Sequence, residues 1–334
     1  MKRIVTLIVF FVLVVAAAAA AVVLDLLAYA GTPAKAEAEV QIVTVSPGDS
    51  FSAVAQRLAD QELISAPIKF RRYARLRGFD KAVKAGEYTL SAAMPPRRIL
   101  SDLVQGNVML RRVTIPEGYD LVQIAAAVAD AGLGDEKTFL AAARDAGFVR
   151  EMGIEADTFE GYLFPDTYFF PKNESARRMI AAMVEHFRSV MTPQWRQRAE
   201  QIGFSVHQAV TLASIIEKET GAAFERPLIA SVFHNRLAKK MRLESDPTVI
   251  YGVDAFDGNL TRRHLRTPTA YNTYKRRGLP PGPIASPGRA SLKAALYPAK
   301  SDFLYFVSKK DGTHHFSTTF REHRAAVRKY QLGR

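Results

Sequence analysis

Two glutamates near the end of one helical segment are the first candidates for acid–base chemistry. Residues 206–220 follow the capping sequence Ser205–Gln208 and precede Gly221, so both ends of a helix are marked. On a helical wheel Glu217 falls inside the apolar arc. Burial among apolar neighbours raises the pKa of a carboxyl group toward that of a general acid. Glu219 also lies beside this arc, and the wheel does not separate the two.

Other side chains in the same half of the chain suit a sugar-binding site. A glycosidase that uses water needs a second carboxylate, and the sequence offers three without favouring one: Asp246, Asp166 and Glu160. Hydroxyl, amide and aromatic groups that could line a cleft are Asp246, Thr248, Tyr251, Tyr271, Asn272, Thr273 and Tyr274. Each has a structural alternative, because residues 245–247 also form a good helix start and the tyrosines could be ordinary loop packing.

The chain offers little for metal or thiol chemistry. It contains no cysteine, which excludes disulfides and thiol nucleophiles. His264, His314, His315 and His323 show no HExxH or similar ligand spacing. We therefore expect neither a metal site nor a cofactor.

Several long motifs in order resemble those of the MltG (YceG-like) endolytic murein transglycosylases. They read EGYLFPDTY at 160–168, LASIIEKET at 212–220, VFHNRL at 232–237, SDPTVIYG at 245–252, TPTAYNTY at 267–274 and GLPPGPIASPG at 278–288. The resemblance extends from the N-terminal apolar segment to the C-terminus. It implies that Glu217, the first glutamate of Glu-Lys-Glu-Thr, is the catalytic residue. From their side-chain chemistry we predict that the seven polar and aromatic residues named above bind substrate, with Glu219 supporting the same cleft.

The resemblance further implies a reaction without a second carboxylate. One acid would protonate the glycosidic oxygen between N-acetylmuramic acid and N-acetylglucosamine and then accept the proton of the muramoyl 6-hydroxyl, which closes on C1 as a 1,6-anhydro end. Such an enzyme would trim or terminate nascent strands, with penicillin-binding synthases as partners. Two alternatives stay open: a peptidoglycan hydrolase that uses water, and a non-catalytic peptidoglycan-binding scaffold.

The N-terminus predicts a membrane anchor for these groups. Residues 4–24 are uncharged, about the length that crosses a bilayer core. Lys2 and Arg3 would remain cytoplasmic, which puts the body on the periplasmic or other extracytoplasmic side of the inner membrane. A cleaved signal peptide is the alternative, because residues 28–30 read Ala-Tyr-Ala.

A sequence repeat organises the next part of the chain. Residues 43–63 align with residues 113–133, and each copy predicts a strand, a turn and an amphipathic helix. The first copy, at 47–55, resembles the opening of LysM modules, which implies binding to the N-acetylglucosamine backbone of peptidoglycan.

Together these features predict an α+β protein with four segments. They are an anchor at 1–24, a tether at 25–39, a LysM-like region at 40–138 and a catalytic domain at 139–334. The formal net charge of +13 is spread along the chain without a nucleic-acid-binding motif. We expect the basic surface to face anionic lipid and an anionic wall polymer, and no nucleic acid.

Overall fold

The computed structural model describes residues 2–254 and 256–333. Met1 and Arg334, the ends of the predicted anchor and catalytic segments, lie outside the described residues. The chain forms two compact units, Met1–Arg111 with Pro171–Asn173, and Arg112–Phe170 with Glu174–Arg334. Each unit has its own apolar core. The fold is α+β, as predicted.

The first unit is built around one antiparallel strand pair. Its elements are α1 (Lys2–Gly31), β1 (Val40–Val45), α2 (Phe51–Asp60), α3 (Pro67–Leu76), β2 (Gly86–Ser91) and α4 (Pro96–Gln105). β1 pairs with β2 from Val40 opposite Ser91 to Val45 opposite Gly86. Apolar side chains from both strands and from α2, α3 and α4 form the core. The first predicted strand, turn and helix therefore form a β-α-α-β module.

Helix α1 is longer than the predicted anchor. It continues through Gly31, so the first part of the predicted tether is helical. Leu26 and Ala30 are buried, Ala30 within the core of the first unit, and Asp25 forms an ion pair with Lys69 at 2.8 Å. The prediction of a tether beginning at residue 25 is corrected here, because apolar residues on one face of the last helical turns pack against the folded module.

The amino-terminal part of α1 is apolar and exposed. Side chains from Ile4 to Val15 include many large apolar groups that contact no other part of the chain extensively. Among the described residues α1 is the one helix long and apolar enough to cross a membrane, a test that a signal sequence would also pass.

The second unit is mostly helical. Its elements begin with β3 (Leu110–Thr114), which starts at the end of the first unit, then α5 (Leu121–Asp130), α6 (Glu136–Ala143), α7 (Ala146–Glu151), β4 (Thr167–Pro171), α8 (Ala176–Val190), α9 (Pro193–Gln201) and α10 (Val206–Glu219). After a 3-10 turn at Ala223–Glu225 follow α11 (Arg226–Ala238), α12 (Asp246–Tyr251), α13 (Arg262–Arg266), α14 (Arg289–Leu296), β5 (Tyr305–Ser308), β6 (His314–Ser317) and α15 (Phe320–Gln331). β3 pairs with β4, and β5 pairs antiparallel with β6. Helix α10 packs against α14 and α11, which places it at the centre of this unit.

The second copy of the repeat also forms a strand and a helix, but it lies in the second unit. Leu121, Ile124 and Val128 on α5 belong to the core of the second unit, and β3 pairs with β4. The compact units therefore divide at Arg111, not at the predicted residue 138. The copies separate because each buries its apolar helix face against different partners.

Candidate active site

Helix α10 carries both candidate glutamates at its carboxyl end. The Ser205 side chain accepts a hydrogen bond from the Gln208 N–H, and the Gln208 side chain accepts one from the Ser205 N–H, which confirms the predicted capping box. Every residue from Ala209 to Ile216 is buried. Thr211 is buried too, and its hydroxyl donates to the His207 carbonyl within the packed interior. The helix is thus a rigid core element that ends at the two glutamates.

Both carboxylate oxygens of Glu217 are held by donors. Oε1 lies 3.1 Å from Nη2 of Arg226, and Oε2 accepts a hydrogen bond from the Gly288 N–H at 2.9 Å. The side chain is only 6% exposed. The apolar surroundings expected from the wheel are therefore incomplete, since the carboxylate also contacts a cation and a backbone N–H. Both donors stabilise the charged carboxylate.

A second carboxylate, missed from the sequence, lies beside this pair. Glu117 is in the turn between β3 and α5, and its Oε2 is 4.0 Å from the same Nη2 of Arg226. Partial burial raises the pKa of the Glu117 carboxyl, the negative charge of Glu217 raises it further, and Arg226 opposes both effects. The sequence showed a Pro-Glu-Gly turn here but gave no sign of what the turn would contact.

The turn that carries Glu117 is fixed by three hydrogen bonds. The Gly118 N–H donates to the Ser286 carbonyl at 2.9 Å, and the Ser286 N–H donates to the Tyr119 carbonyl at 2.7 Å. Lys218 Nζ donates to the Gly118 carbonyl at 3.1 Å. Gly118 has a φ of +79°, a conformation that glycine adopts without strain. The turn is thereby bound both to α10 and to the segment before α14.

Glu219 faces a different cleft. A space of about 330 Å³, called here the Glu219 cleft, is lined by Glu219, Arg236, Leu243, Glu244, Asp246, Tyr274, Phe306 and His323. Burial raises the pKa of Glu219 to about 7, against the effect of the Ser245 hydroxyl, which donates to its carboxyl group. Tyr274 donates to Asp246 Oδ1 at 2.7 Å. The structure thus brings together three of the predicted substrate-binding residues, Glu219, Asp246 and Tyr274.

Tyr251 and Tyr271 lie close to Glu160. Their rings meet edge to face, with centroids 4.7 Å apart, and the Tyr251 hydroxyl donates to Glu160 Oε2 at 3.0 Å. Burial raises the pKa of Glu160 to about 7, and the Leu121 N–H, which donates to the same oxygen, opposes this. Glu160 and Tyr271 line a larger space of about 760 Å³ together with His207.

Three predicted substrate-binding residues serve the fold instead. Thr248, Asn272 and Thr273 are fully buried. Thr248 and Thr273 hydrogen-bond to each other at 2.8 Å, and the Asn272 amide donates to the carbonyl of Thr267 at 2.6 Å. Because their polar atoms are used internally, we withdraw these three from the substrate-binding set. Asp166, one of the second-carboxylate candidates, is instead paired with His186 at 3.3 Å.

The histidines are engaged in the packing of the second unit. His314 Nδ1 lies 2.7 Å from Glu225 Oε2, and the His323 ring stacks on Tyr305. Within residues 2–254 and 256–333, no group of three or more histidine or acidic side chains is placed to hold a metal ion.

The chain matches a known family over most of its length. The model of the YceG-like family covers residues 43–329. The chain belongs to the YceG-like family. The resemblance inferred from the motifs is therefore confirmed.

Relatives of known name share this extent. An endolytic murein transglycosylase of Bacillus subtilis is 36% identical over 86% of this chain and 84% of its own length. One of Streptococcus pneumoniae is 29% identical over 80% of this chain and 54% of its own length. The crystal structure of a YceG-like protein from Listeria monocytogenes is 36% identical and superposes with a TM-score of 0.60, covering 86% of this chain and 98% of that one.

Proposed function

We propose that this YceG-like chain is an endolytic murein transglycosylase in which Glu217 is the acid and the base. The observation that carries the proposal is the position of Glu217 at the end of a buried helix, with each carboxylate oxygen held by one donor. Fixed donors hold a catalytic group in one orientation, so little reorganisation is needed when it reacts. The relatives named as endolytic murein transglycosylases support the same reading.

In the proposed reaction, neutral Glu217 gives its proton to the oxygen between N-acetylmuramic acid and N-acetylglucosamine as that bond breaks. The resulting carboxylate is stabilised by Arg226 and the Gly288 N–H. It then takes the proton of the muramoyl 6-hydroxyl, whose oxygen bonds to C1. The internal hydroxyl replaces water, so its high effective concentration drives the second step.

We propose that the strand is bound by the exposed parts of two spaces. Asp246, Tyr274 and Glu219 in the Glu219 cleft offer carboxylate and phenol oxygens for sugar hydroxyl and amide groups. Tyr271 offers a half-buried ring for the apolar face of a pyranose, with Tyr251 holding that ring in place. Together they retain five of the eight predicted substrate-binding residues.

The rest of the chain fits an enzyme acting on the wall from the membrane. Helix α1 would be a single-pass anchor with the body on the extracytoplasmic side. The β-α-α-β module would bind the glycan backbone as a LysM-like module. Family resemblance alone suggests penicillin-binding synthases as partners.

The experiment compares Glu217→Gln with Glu219→Gln on purified peptidoglycan strands, with products identified by mass spectrometry. Glutamine keeps the size of glutamate but cannot deliver a proton. We expect Glu217→Gln to lower the yield of anhydro ends by roughly 10² to 10⁴-fold. Glu219→Gln should lose much less, because its carboxyl group contacts Ser245 and faces another cleft.

Each other outcome has a defined meaning. Reducing ends in place of anhydro ends would identify a hydrolase that uses water. Loss of activity in Glu219→Gln alone, with normal thermal unfolding, would place the acid two residues later. Full activity in both variants would contradict the single-acid reaction, whereas no cleavage by the unmodified chain would favour the non-catalytic scaffold.

A further inference from the structure

The contacts of Glu217 pose a problem for the reaction proposed above. Glu217 must carry a proton before it can protonate the glycosidic oxygen. Yet its two oxygens face a guanidinium group at 3.1 Å and a backbone N–H at 2.9 Å, and both favour the form that has lost the proton. Some other charge must offset the attraction of Arg226.

Glu117 is placed to provide that charge. Both carboxylates approach Nη2 of Arg226. Oε2 of Glu117 lies 4.0 Å from it, and Oε1 of Glu217 lies 3.1 Å from it. Two carboxylates therefore compete for one cation. Another cation at this turn, Lys218, is engaged elsewhere, because its Nζ donates to the Gly118 carbonyl.

The position of Glu117 is fixed by the backbone around it. The turn is hydrogen-bonded to residue 286 in both directions, which holds it against the segment that carries Gly288. A Cβ atom at Gly288 would lie only 1.8 Å from Glu117 Oε1, so the carboxyl group rests directly on the glycine whose N–H binds Glu217. Glycine at this position lets both carboxylates approach the same peptide.

We propose that Glu117 is a positioning residue for Glu217: its negative charge, shared with the same Arg226 guanidinium, offsets the attraction of that cation, so that Glu217 can hold the proton that it delivers. The inference rests on the proposed function, since it assigns a task only if Glu217 is the acid.

Simple electrostatics supports this assignment. When both carboxylates are ionised, one guanidinium faces two negative charges, and the repulsion between the carboxylates opposes loss of the second proton. The charged groups around Glu117 are Glu217, Arg226 and, through the Gly118 carbonyl, Lys218. Partial burial and the charge of Glu217 both raise the pKa of the Glu117 carboxyl, in keeping with a coupled pair.

The test is the pH–rate profile of the full chain in detergent, measured for the wild type, Glu117→Gln and Glu117→Asp. In Glu117→Gln the negative charge of Glu117 is gone, and Glu217 becomes the one carboxylate of this pair that faces Arg226. Glu217 should therefore lose its proton more easily. We expect the alkaline limb of the kcat profile to move about one pH unit toward lower pH. At pH values above that limb kcat should fall roughly tenfold relative to the wild type, with KM little changed. Glu117→Asp keeps the charge and should restore most of the wild-type limb.

Glu151→Gln is the matched control, because it makes the same chemical change on the exposed surface of α7. Its profile should superimpose on that of the wild type. A Glu117→Gln profile that is lowered equally at every pH would indicate a purely structural role and would overturn the inference. So would a profile identical to that of the wild type.

A steric variant gives an independent measurement. Gly288→Ala introduces a methyl group at the position of the Glu117 carboxyl, at a φ of −74° that alanine tolerates. It should shift the alkaline limb as Glu117→Gln does. In a Glu117→Ala background the methyl group has no carboxyl to displace, so the added effect should vanish. An equal shift in both backgrounds would contradict the inference.

The two proposals fail in distinguishable ways. If the wild type yields no anhydro ends, or Glu217→Gln stays active, the proposed function is wrong whatever Glu117 does. If the wild type yields anhydro ends, Glu217→Gln is inactive and the Glu117→Gln limb does not move, only the role of Glu117 is wrong.

Discussion

Four glutamates in the second unit occupy four different environments. Glu217 is ion-paired and held by a backbone N–H, whereas Glu117 is half exposed beside the same arginine. Burial raises the pKa of Glu160 and of Glu219 to about 7. Identical side chains can therefore take the roles of proton carrier, positioning group and buried neutral acid, because solvent access and neighbouring charge differ.

Glu160 gives a prediction for the pH dependence of stability. Its pKa in the folded chain is about 7, above the ordinary 4.5, so the folded state binds more protons between these values. The stabilisation is complete below pH 4.5 and is lost as the pH rises through 7. Glu160→Gln has no ionisation to suppress. Its free energy of unfolding relative to the wild type should rise by up to about 3 kcal/mol between pH 4.5 and pH 8.

Urea unfolding of both proteins at several pH values measures this difference directly. Glu151→Gln again serves as the control, because its side chain is 67% exposed. A difference between Glu160→Gln and wild type that does not change with pH would mean that Glu160 titrates in the folded chain as it does in the unfolded one.

At the scale of elements, the features predicted correctly are those that depend on neighbouring residues. Short sequence patterns predicted the capping box of α10 and the strand, turn and helix of each repeat copy. These features depend on local hydrogen bonds and on the periodic burial of apolar side chains. The choice of Glu217 as the proposed acid came from the motif resemblance, because the wheel alone could not separate it from Glu219, and it stays a prediction.

The features that could not be predicted depend on contacts between distant segments. Glu117 approaches Arg226 and Gly288 only because a backbone hydrogen-bond pair joins its turn to residue 286. Thr248 and Thr273 were predicted to bind sugar because a sequence does not distinguish a free threonine hydroxyl from one that is buried and hydrogen-bonded. In the structure these two hydroxyls bond to each other. Which partner satisfies a polar group is decided by tertiary packing.

The β-α-α-β module gives a prediction at this scale. If it binds the glycan backbone, deleting residues 40–108 should lower the fraction of protein retained on sedimented peptidoglycan. Cleavage of soluble strands should persist, because the Glu217 site lies within the second unit. Cleavage by the deleted form is the internal control for folding. Unchanged retention would mean that the module resembles LysM in sequence but does not bind the glycan backbone.

At the scale of the whole molecule, helix α1 joins a long apolar segment, a candidate membrane span, to a folded module without an intervening tether. Residues near its start are exposed and apolar, whereas Leu26 and Ala30 near its end are buried. Cleavage after Ala30 would remove both buried side chains from the module. This packing favours a retained anchor over a signal peptide.

Two soluble truncations test this arrangement, one that starts at Asp25 and one that starts at Thr32. The first keeps the Asp25–Lys69 ion pair and the buried Leu26, and the second loses both. Burial of one leucine side chain contributes about 2 kcal/mol, whereas an exposed ion pair contributes little. The thermal midpoint of the first unit should therefore be lower in the form that starts at Thr32.

Leu26→Ala in the form that starts at Asp25 should reproduce the part of that loss that comes from the leucine while keeping the ion pair, since the form that starts at Thr32 also lacks the buried Ala30. In cells, the full chain should fractionate with membranes at its unprocessed mass. A soluble mature form beginning at Gly31, as stable as the form that starts at Asp25, would show that residues 4–24 are a signal. The contacts of Leu26 and Ala30 would then play no part in holding the module together.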